Sequence, residues 1–401
     1  MQTEKADKQI LAWCEKGKPV LIQNLEKLTN MDSGSDDYPE LNAKAAVLKE
    51  MLEKVGGTVR LVEAASPREG TYNIVATWKG TGKAKIMYMA HYDTVWGKGE
   101  AAKRPFTIKD NKAYGPGVND RQNSVAAFPV FMDILLNKLK CTDFNTITIL
   151  LNSDEEKGSF GSRDLIMELS AQHDVVYSTD GSCPDGDEIC CSSRGTAYYD
   201  IYIKGVESHS GSAPEKGRNA GYELCHQLMK MRNLSDKAKG TDANWTMGSF
   251  GTKSNIIPGV AHGHLNVRIS TIKEWDRIEN DIRKNIEDKL FPESEIRFDI
   301  RRARPPFERN PATDALAEKL IALYKNELGL PLRAASTGGA NDSSYSSQTA
   351  PVAIDGLSMG GSNAHSLNEH YNLDHIVPRL YLWVRTAQET IRGNLVPLLK
   401  G

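Results

Sequence analysis

The period of the apolar positions changes several times along the chain, and each change marks an element. Val20, Leu21, Leu25 and Leu28, then Leu48, Met51, Leu52 and Val55, recur at the spacing of amphipathic helices. Gly56-Gly57 ends the second. "YNIVATW" and "KIMYMA" read as strands, "SVAAFPVFMDILLNKL" as a helix, and Thr146 to Leu151 as another strand. This alternation predicts an α/β sheet, whose ligands collect at the carboxyl ends of the strands.

The texture shifts near Arg194-Gly195. A strand "TAYYDIYIKG", a helix "GRNAGYELCHQLMKMRN", a strand near "WTMGSFGT", a strand "GVAHGHLNVRIS", a helix with Trp275, Ile278, Ile282 and Ile286 on one face, and a strand "EIRFDIRRA" follow in order. That β-α-β-β-α-β order predicts a ferredoxin-like domain inserted into the first. After "RPPFERNP" two long helices, "ATDALAEKLIALYKNEL" and "PRLYLWVRTAQETI", flank a Gly/Ser-rich region and complete the first domain. The expected division is 1–194 plus 306–401 for the catalytic domain and 195–305 for the insert, in keeping with a length of 401 residues.

Composition narrows the function classes. With 50 Lys+Arg against 52 Asp+Glu and no basic stripe, nucleic acid is not an expected partner. The longest apolar stretch, Val125 to Leu136, holds Pro129 and Asp133, so no membrane span or anchor is expected. The N-terminus lacks the apolar core of a signal peptide, which predicts a cytoplasmic protein as the chain is written, or a periplasmic or secreted one if Met1 replaces a removed leader. Six cysteines do not make a disulfide scaffold, although Cys183, Cys190 and Cys191 cluster in one loop where a local disulfide is conceivable.

The chemistry begins at Asp154-Glu155-Glu156, three adjacent carboxylates directly after the strand Thr146 to Leu151. Adjacent acids repel unless cations or hydrogen-bond donors offset them. If strand geometry persists, Glu155 and Glu156 point to opposite faces, one free to ligate a metal and the other to face a water. "HYDTV" places His91 and Asp93 after "KIMYMA", where the carboxylate can orient the imidazole. "YGPGVND" delivers Asp120 before a helix, where a capping aspartate is the plain alternative. Asp180 ends the apolar run "VVYSTD", and His365 lies in the late loop "GGSNAHSLNEH". Two histidines and three carboxylates at element ends suit two zinc ions, with Asp120 able to bridge them.

His91-x-Asp93, "GPGVND", "SDEEKGSFGSRDLI", "SHSGSAPEKGRNA", "SNIIP" and His365 together resemble the dinuclear zinc peptidase family of glutamate carboxypeptidase, succinyl-diaminopimelate desuccinylase and aminoacylase. The resemblance runs nearly the whole length and is closest to the glutamate carboxypeptidase branch. It implies a zinc-peptidase sheet flanked by helices, an inserted ferredoxin-like dimerisation domain, a homodimer, and hydrolysis of an amide bond in a small peptide or N-acyl amino acid. His91 and Asp180 would bind one zinc, Glu156 and His365 the other, and Asp120 would bridge; cobalt or manganese could substitute. Asp93 would orient His91, and Glu155 would be the general base that takes the proton from the attacking water. His209 would stabilise the oxyanion, often in the partner's active site, and Asn255, Arg268 and Arg304 would hold the substrate's carboxylate or its neighbours. An aminopeptidase or dipeptidase is the nearest alternative, and an inactive metal-binding relative a more distant one.

Three departures bear on specificity. Arg121-Gln122-Asn123 replaces the family's usual Asp-Lys-Gly after the bridging aspartate, and Arg121 could bind a substrate carboxylate or pair with Asp154. Position 180 is Asp, common in aminopeptidase and dipeptidase members, rather than Glu. The loop at 338–345, "GGANDSSY", changes whatever Asn341 and Asp342 contact. Asp185, Asp187 and Glu188 also follow Asp180, which argues against a C-terminal glutamate in the substrate unless Arg194 turns inward to offset them.

Overall fold

The computed structural model describes residues 6–181 and 187–398. Asp7 opens α1 (Lys8–Thr29) by accepting the backbone N–H groups of Gln9 and Ile10, which satisfies two of the helix's free donors. Leu21, Leu25 and Leu28 of α1 are fully buried, whereas Val20 is 48 % exposed. α2 (Tyr38–Glu53) ends before Gly56-Gly57. The sheet then begins with β1 (Thr58–Glu63), β2 (Tyr72–Lys79) and β3 (Lys85–His91), and continues after α3 (Asn123–Met132) with β4 (Thr146–Asn152), α4 (Arg163–Ser170) and β5 (Val175–Ser178).

The chain divides into two compact units, one comprising 1–192, 309–337 and 341–401 and the other 193–308 with 338–340. The second unit is built from β6 (Gly195–Lys204), α5 (Ala220–Lys230), β7 (Asp242–Phe250), β8 (Val260–Ile269), α6 (Ile272–Glu287) and β9 (Glu295–Arg304). Its sheet has the order β7-β8-β6-β9 and is antiparallel throughout, the ferredoxin-like arrangement. β8 alternates strictly: Ala261, Leu265, Val267 and Ile269 are buried, and they share a core with Leu224 of α5 and Trp275, Ile278 and Ile282 of α6. Only one face of this sheet carries helices, so period-2 alternation is what its strands require.

The first unit resumes with α7 (Pro311–Leu328), β10 (Ala353–Ile354) and α8 (Ile376–Ile391). Its sheet has the order β1-β2-β4-β3-β5-β10. β1 and β2 run antiparallel to their neighbours, whereas β4, β3, β5 and β10 are mutually parallel. β4 is buried at every position, as expected of a parallel strand covered on both faces. Trp383 of α8 packs against Phe128 and Phe131 of α3, with ring centroids 4.9 and 5.8 Å apart, so the C-terminal helix closes the same core that α3 begins. Among the described residues, no helix is long and apolar enough to cross a membrane.

The parallel strands position the chemistry. β3, β4, β5 and β10 point the same way, and each is followed at its carboxyl end by acidic residues: Asp93, Asp154 to Glu156, Asp180 and Asp355 respectively.

Candidate metal centre

Asp93 organises the first corner of the site. Its Oδ1 lies 3.3 Å from His91 Nδ1, and its two oxygens accept the backbone N–H groups of Glu155 and Glu156 at 3.2 Å each. Ser35 donates its hydroxyl to Asp93 Oδ2 at 2.7 Å. One buried carboxylate therefore holds both the imidazole of His91 and the start of the acidic turn.

That turn differs from the extended geometry expected of it. The strand stops at Asn152, and Glu155–Lys157 form a single tight helical turn closed by Gly158 in the left-handed region. The two glutamates nonetheless serve different groupings: Glu155 joins His91 and Asp180, and Glu156 joins His91 and Asp120, with ligand atoms within 4.8 Å of one another in each. Asp154 faces away from them, accepting the Gly161 N–H at 2.7 Å and the Ser162 hydroxyl, and burial pushes its carboxyl up to about 6.

Asp120 comes from the glycine-rich turn. Gly117 there has φ +71°, and a Cβ on it would lie 2.5 Å from Thr94 Cγ2, so only glycine fits. Gln122, not Asp120, holds the N-cap position of the following helix. Its Oδ1 lies 3.2 Å from His91 Nε2 and its Oδ2 3.0 Å from His365 Nε2, so one carboxylate reaches both histidines. His365 Nε2 is also 3.1 Å from Glu156 Oε2, and His91 Nε2 is 3.7 Å from Asp180 Oδ1. All five residues singled out as ligands are thus brought together, with Glu155 beside them.

The electrostatics show a centre short of positive charge. Burial draws the His91 imidazole down, but Asp180, Asp120 and Asp93 outweigh it and hold it well above its ordinary value. Asp120 and then Glu156 lift His365 to about 10. Burial raises Glu156, and it would raise Asp120 too were it not for Arg121, His365 and His91, which carry Asp120 well below the usual carboxylate range. Among the described residues, Glu156 Oε1 and Asp180 Oδ2 are buried without a hydrogen-bond partner. Unpartnered carboxylate oxygens among imidazoles are a donor set that fits divalent cations such as zinc.

Several supporting residues escaped the sequence reading. Glu369 accepts the backbone N–H groups of Gly117, Asn119 and Asp120 at 2.9, 3.0 and 2.9 Å, and so fixes the turn that presents Asp120. It sits four residues after His365, and the only sequence signal was a carboxylate in that loop. Asp355 accepts the N–H groups of Asp180 and Gly181 at 3.1 and 3.0 Å and the Asn341 amide at 2.6 Å, which gives the altered 338–345 loop a part in holding Asp180. "AIDG" repeats the apolar-run-then-Asp-Gly pattern of "YSTDG", a signal that could have found it.

Two pairings that the sequence leaves open are placed. Arg121 bonds Asp180, not Asp154: its Nε donates to Asp180 Oδ1 at 2.9 Å, because the buried guanidinium lies on the Asp180 side of the turn. Arg194 pairs with Asp242 of its own unit instead of turning toward the acidic loop, and Asp187 and Glu188 are met by Arg333, at 3.2 and 3.0 Å. Cys190 and Cys191 are free thiols; Cys183 and Asp185 lie outside the described residues.

The second unit holds the remaining candidates. His209 and Asn255 adjoin: the His209–Ile256 pairing joins their segments, and Ser210 N–H donates to Asn255 O at 3.0 Å. His209 is exposed, and its Nδ1 accepts the N–H groups of Gly211 and Ser212 at 3.1 Å, which leaves Nε2 directed elsewhere. Arg268 and Arg304 sit on β8 and β9, both paired in register with Thr196 of β6 between them.

Comparison with known proteins agrees with this constellation. The chain is 34 % identical to carboxypeptidase G2 of Pseudomonas sp. (strain RS-16) over 98 % of its own length and 94 % of the relative's. It is 27 % identical to succinyl-diaminopimelate desuccinylase of Delftia acidovorans, covering 94 % of this chain and 99 % of that one. A tripeptidase structure from Staphylococcus aureus shares the fold with a TM-score of 0.77 at 20 % identity, over 94 % of this chain and 99 % of the other. The family model for peptidase family M20/M25/M40 matches residues 87–389, a span that includes His91, Asp120, Glu156, Asp180 and His365. With a clustered His, Asp and Glu set at the ends of its parallel strands and this match across it, the chain belongs to peptidase family M20/M25/M40 and is a metallohydrolase.

Proposed function

We propose that the protein hydrolyses an amide bond next to a free C-terminal carboxylate, in an N-acyl amino acid or small peptide, using two zinc ions. The observation that carries this is Asp120, whose two oxygens reach His91 and His365 while Glu156 and Asp180 each keep one buried oxygen without a partner. In this reading His91 and Asp180 hold one cation, Glu156 and His365 the other, and Asp120 both. Bound cations would polarise the scissile carbonyl and acidify an attacking water. Glu155, its backbone pinned by Asp93, takes the proton from that water and returns it to the leaving amine. His209 donates to the oxyanion, and Asn255, Arg268 and Arg304 receive the substrate's carboxylate.

The homodimer belongs to the same proposal. β7 is an edge strand whose Met247 and Phe250 are 63 % and 52 % exposed, and α5 beside it exposes Tyr222 and Met229. An apolar edge of this kind calls for a covering partner. The 34 % identity to carboxypeptidase G2 supports the carboxypeptidase direction. Asp at position 180 supports the alternative of an aminopeptidase or dipeptidase.

Turnover by the zinc-loaded enzyme of one acyl group joined to a series of amino acids, compared with the same substrates amidated at the C-terminus and with free-amine dipeptides, tests the reading. Hydrolysis that needs the free carboxylate and tolerates an acylated amine is expected. Hydrolysis that needs the free amine would replace the carboxypeptidase reading with the aminopeptidase one.

A further inference from the structure

Arg121 is a buried, permanently charged group inside the ligand cluster, and its placement is one-sided. Its Nε donates to Asp180 Oδ1 at 2.9 Å and lies 3.5 Å from Asp120 Oδ1, the oxygen that also faces His91 at 3.2 Å. Its Nη1 is tied to Asn119 O at 2.9 Å, so the guanidinium is clamped between the turn and Asp180. Burial opposes its charge, but Asp120 and Asp180 hold the proton firmly. On the other side, Asp120 Oδ2 and Glu156 Oε2 lie against the imidazole of His365, at 3.0 and 3.1 Å from its Nε2.

We infer that Arg121 makes the two cation positions unequal: its guanidinium occupies Asp180 Oδ1, leaving only Oδ2 for a divalent cation, so the His91–Asp180 position binds metal more weakly than the Glu156–His365 position. This rests on the two-cation reading above. Two effects act in the same direction. A fixed positive charge beside one cation position and farther from the other repels the nearer ion more, and a carboxylate with one oxygen engaged can offer a cation a single donor in place of two. Arg121 is a positioning residue in this account, acting on the metal through Asp180.

The opposing possibility is that the guanidinium orients Asp180 and so strengthens metal binding, as hydrogen-bond partners of ligands often do. The two differ in sign. Zinc and cobalt dissociation constants would be measured by chelator competition on the metal-stripped full-length protein, with bound metal counted by elemental analysis and the cobalt absorption spectrum followed through the titration. The wild type is expected to take up two ions in two affinity classes. In Arg121→Met the weaker class should tighten by about tenfold or more, in Arg121→Lys it should stay close to wild type, and His365→Asn should remove the tighter class. If Arg121→Met does not fold, Arg121→Gln carries the same expectation.

A weaker class that is unchanged or loosened in the neutral variants overturns the inference, as does loss of the weaker class in His365→Asn. A wild type that binds fewer than two ions at saturation instead overturns the two-cation reading, and the inference falls with it.

Discussion

Asp187 and Glu188 share Arg333, 3.2 and 3.0 Å away, on a surface where that arginine is 65 % exposed. Asp120, Glu156 and Asp180, in the same unit, are nearly buried and outnumber the single guanidinium of Arg121 beside them. In the first cluster the chain supplies its own counter-charge and water screens the remainder. In the second, most of the side chains are buried, the neighbouring carboxylates raise the pKa of His91 and His365, and two carboxylate oxygens have no partner among the described residues. Each place sets several acids beside one arginine. Burial and the supply of cations separate an ordinary surface patch from a site that calls for divalent metal.

The largest test of that contrast is chemical. Exhaustive chelation should abolish activity and added zinc, cobalt or manganese should restore it, while a protein shown to be metal-free and fully active would end the comparison. Glu155→Gln should lose on the order of 10²–10⁴ in kcat yet retain its metal, because it removes a base and no ligand. Glu156→Gln should lose metal in elemental analysis, since it takes away a buried ligand oxygen.

At the surface cluster the effects should be smaller. Arg333→Ala removes the guanidinium beside Asp187 and Glu188, and stability should change by only about 0–1 kcal/mol in a denaturant titration. Because Arg333 already neutralises part of that loop, the wild type should discriminate only weakly between C-terminal Glu and Gln. The kcat/KM ratio for the two substrates measures this, and it should move against Glu in Arg333→Ala.

A further test concerns a histidine that lacks what His91 has. His173 is as buried as His91 but faces Leu169 O and Thr148 Oγ1, with no carboxylate hydrogen-bonded to it, and burial lowers its pKa. Below about 6.5 the unfolded imidazole binds a proton that the native one does not, so stability falls as pH drops through that value toward the lowered native pKa. His173→Gln should show a shallower loss of stability between pH 7 and 5 than its parent, by up to about 1.4 kcal/mol per pH unit.

Much of the scaffold was legible because burial on one or two faces leaves different periods. β8 alternates, and β4 is a β-branched and leucine-rich segment without charge, and each reads directly as a strand. His91, Glu156 and Asp180 were legible because they stand just after such runs, and Asp120 and His365 through the glycine-rich motifs that carry the family resemblance. What escaped depends on contacts between distant segments: Glu369 on the turn at 117–120, Asp355 under Asp180, Arg333 beside Glu188. None of these has a local pattern apart from the Asp-Gly after β10. Strand geometry does not persist into the acidic turn, and the period of β4 carries no information about Gly158, whose left-handed backbone closes the tight turn after the strand ends.

Glu369 sits with its carboxylate in a hollow of backbone N–H groups from Gly117, Asn119 and Asp120, with the Trp96 indole N–H 3.2 Å away. Such a hollow is a receptor for small anions in its own right, and here receptor and guest happen to belong to one covalent chain. Cutting the guest loose in Glu369→Gly would leave a carboxylate-sized berth, and formate or acetate supplied from solution could moor there in its place. Metal uptake lost on truncation would then come back as a saturable function of formate concentration, turning a fixed part of the fold into an exchangeable one.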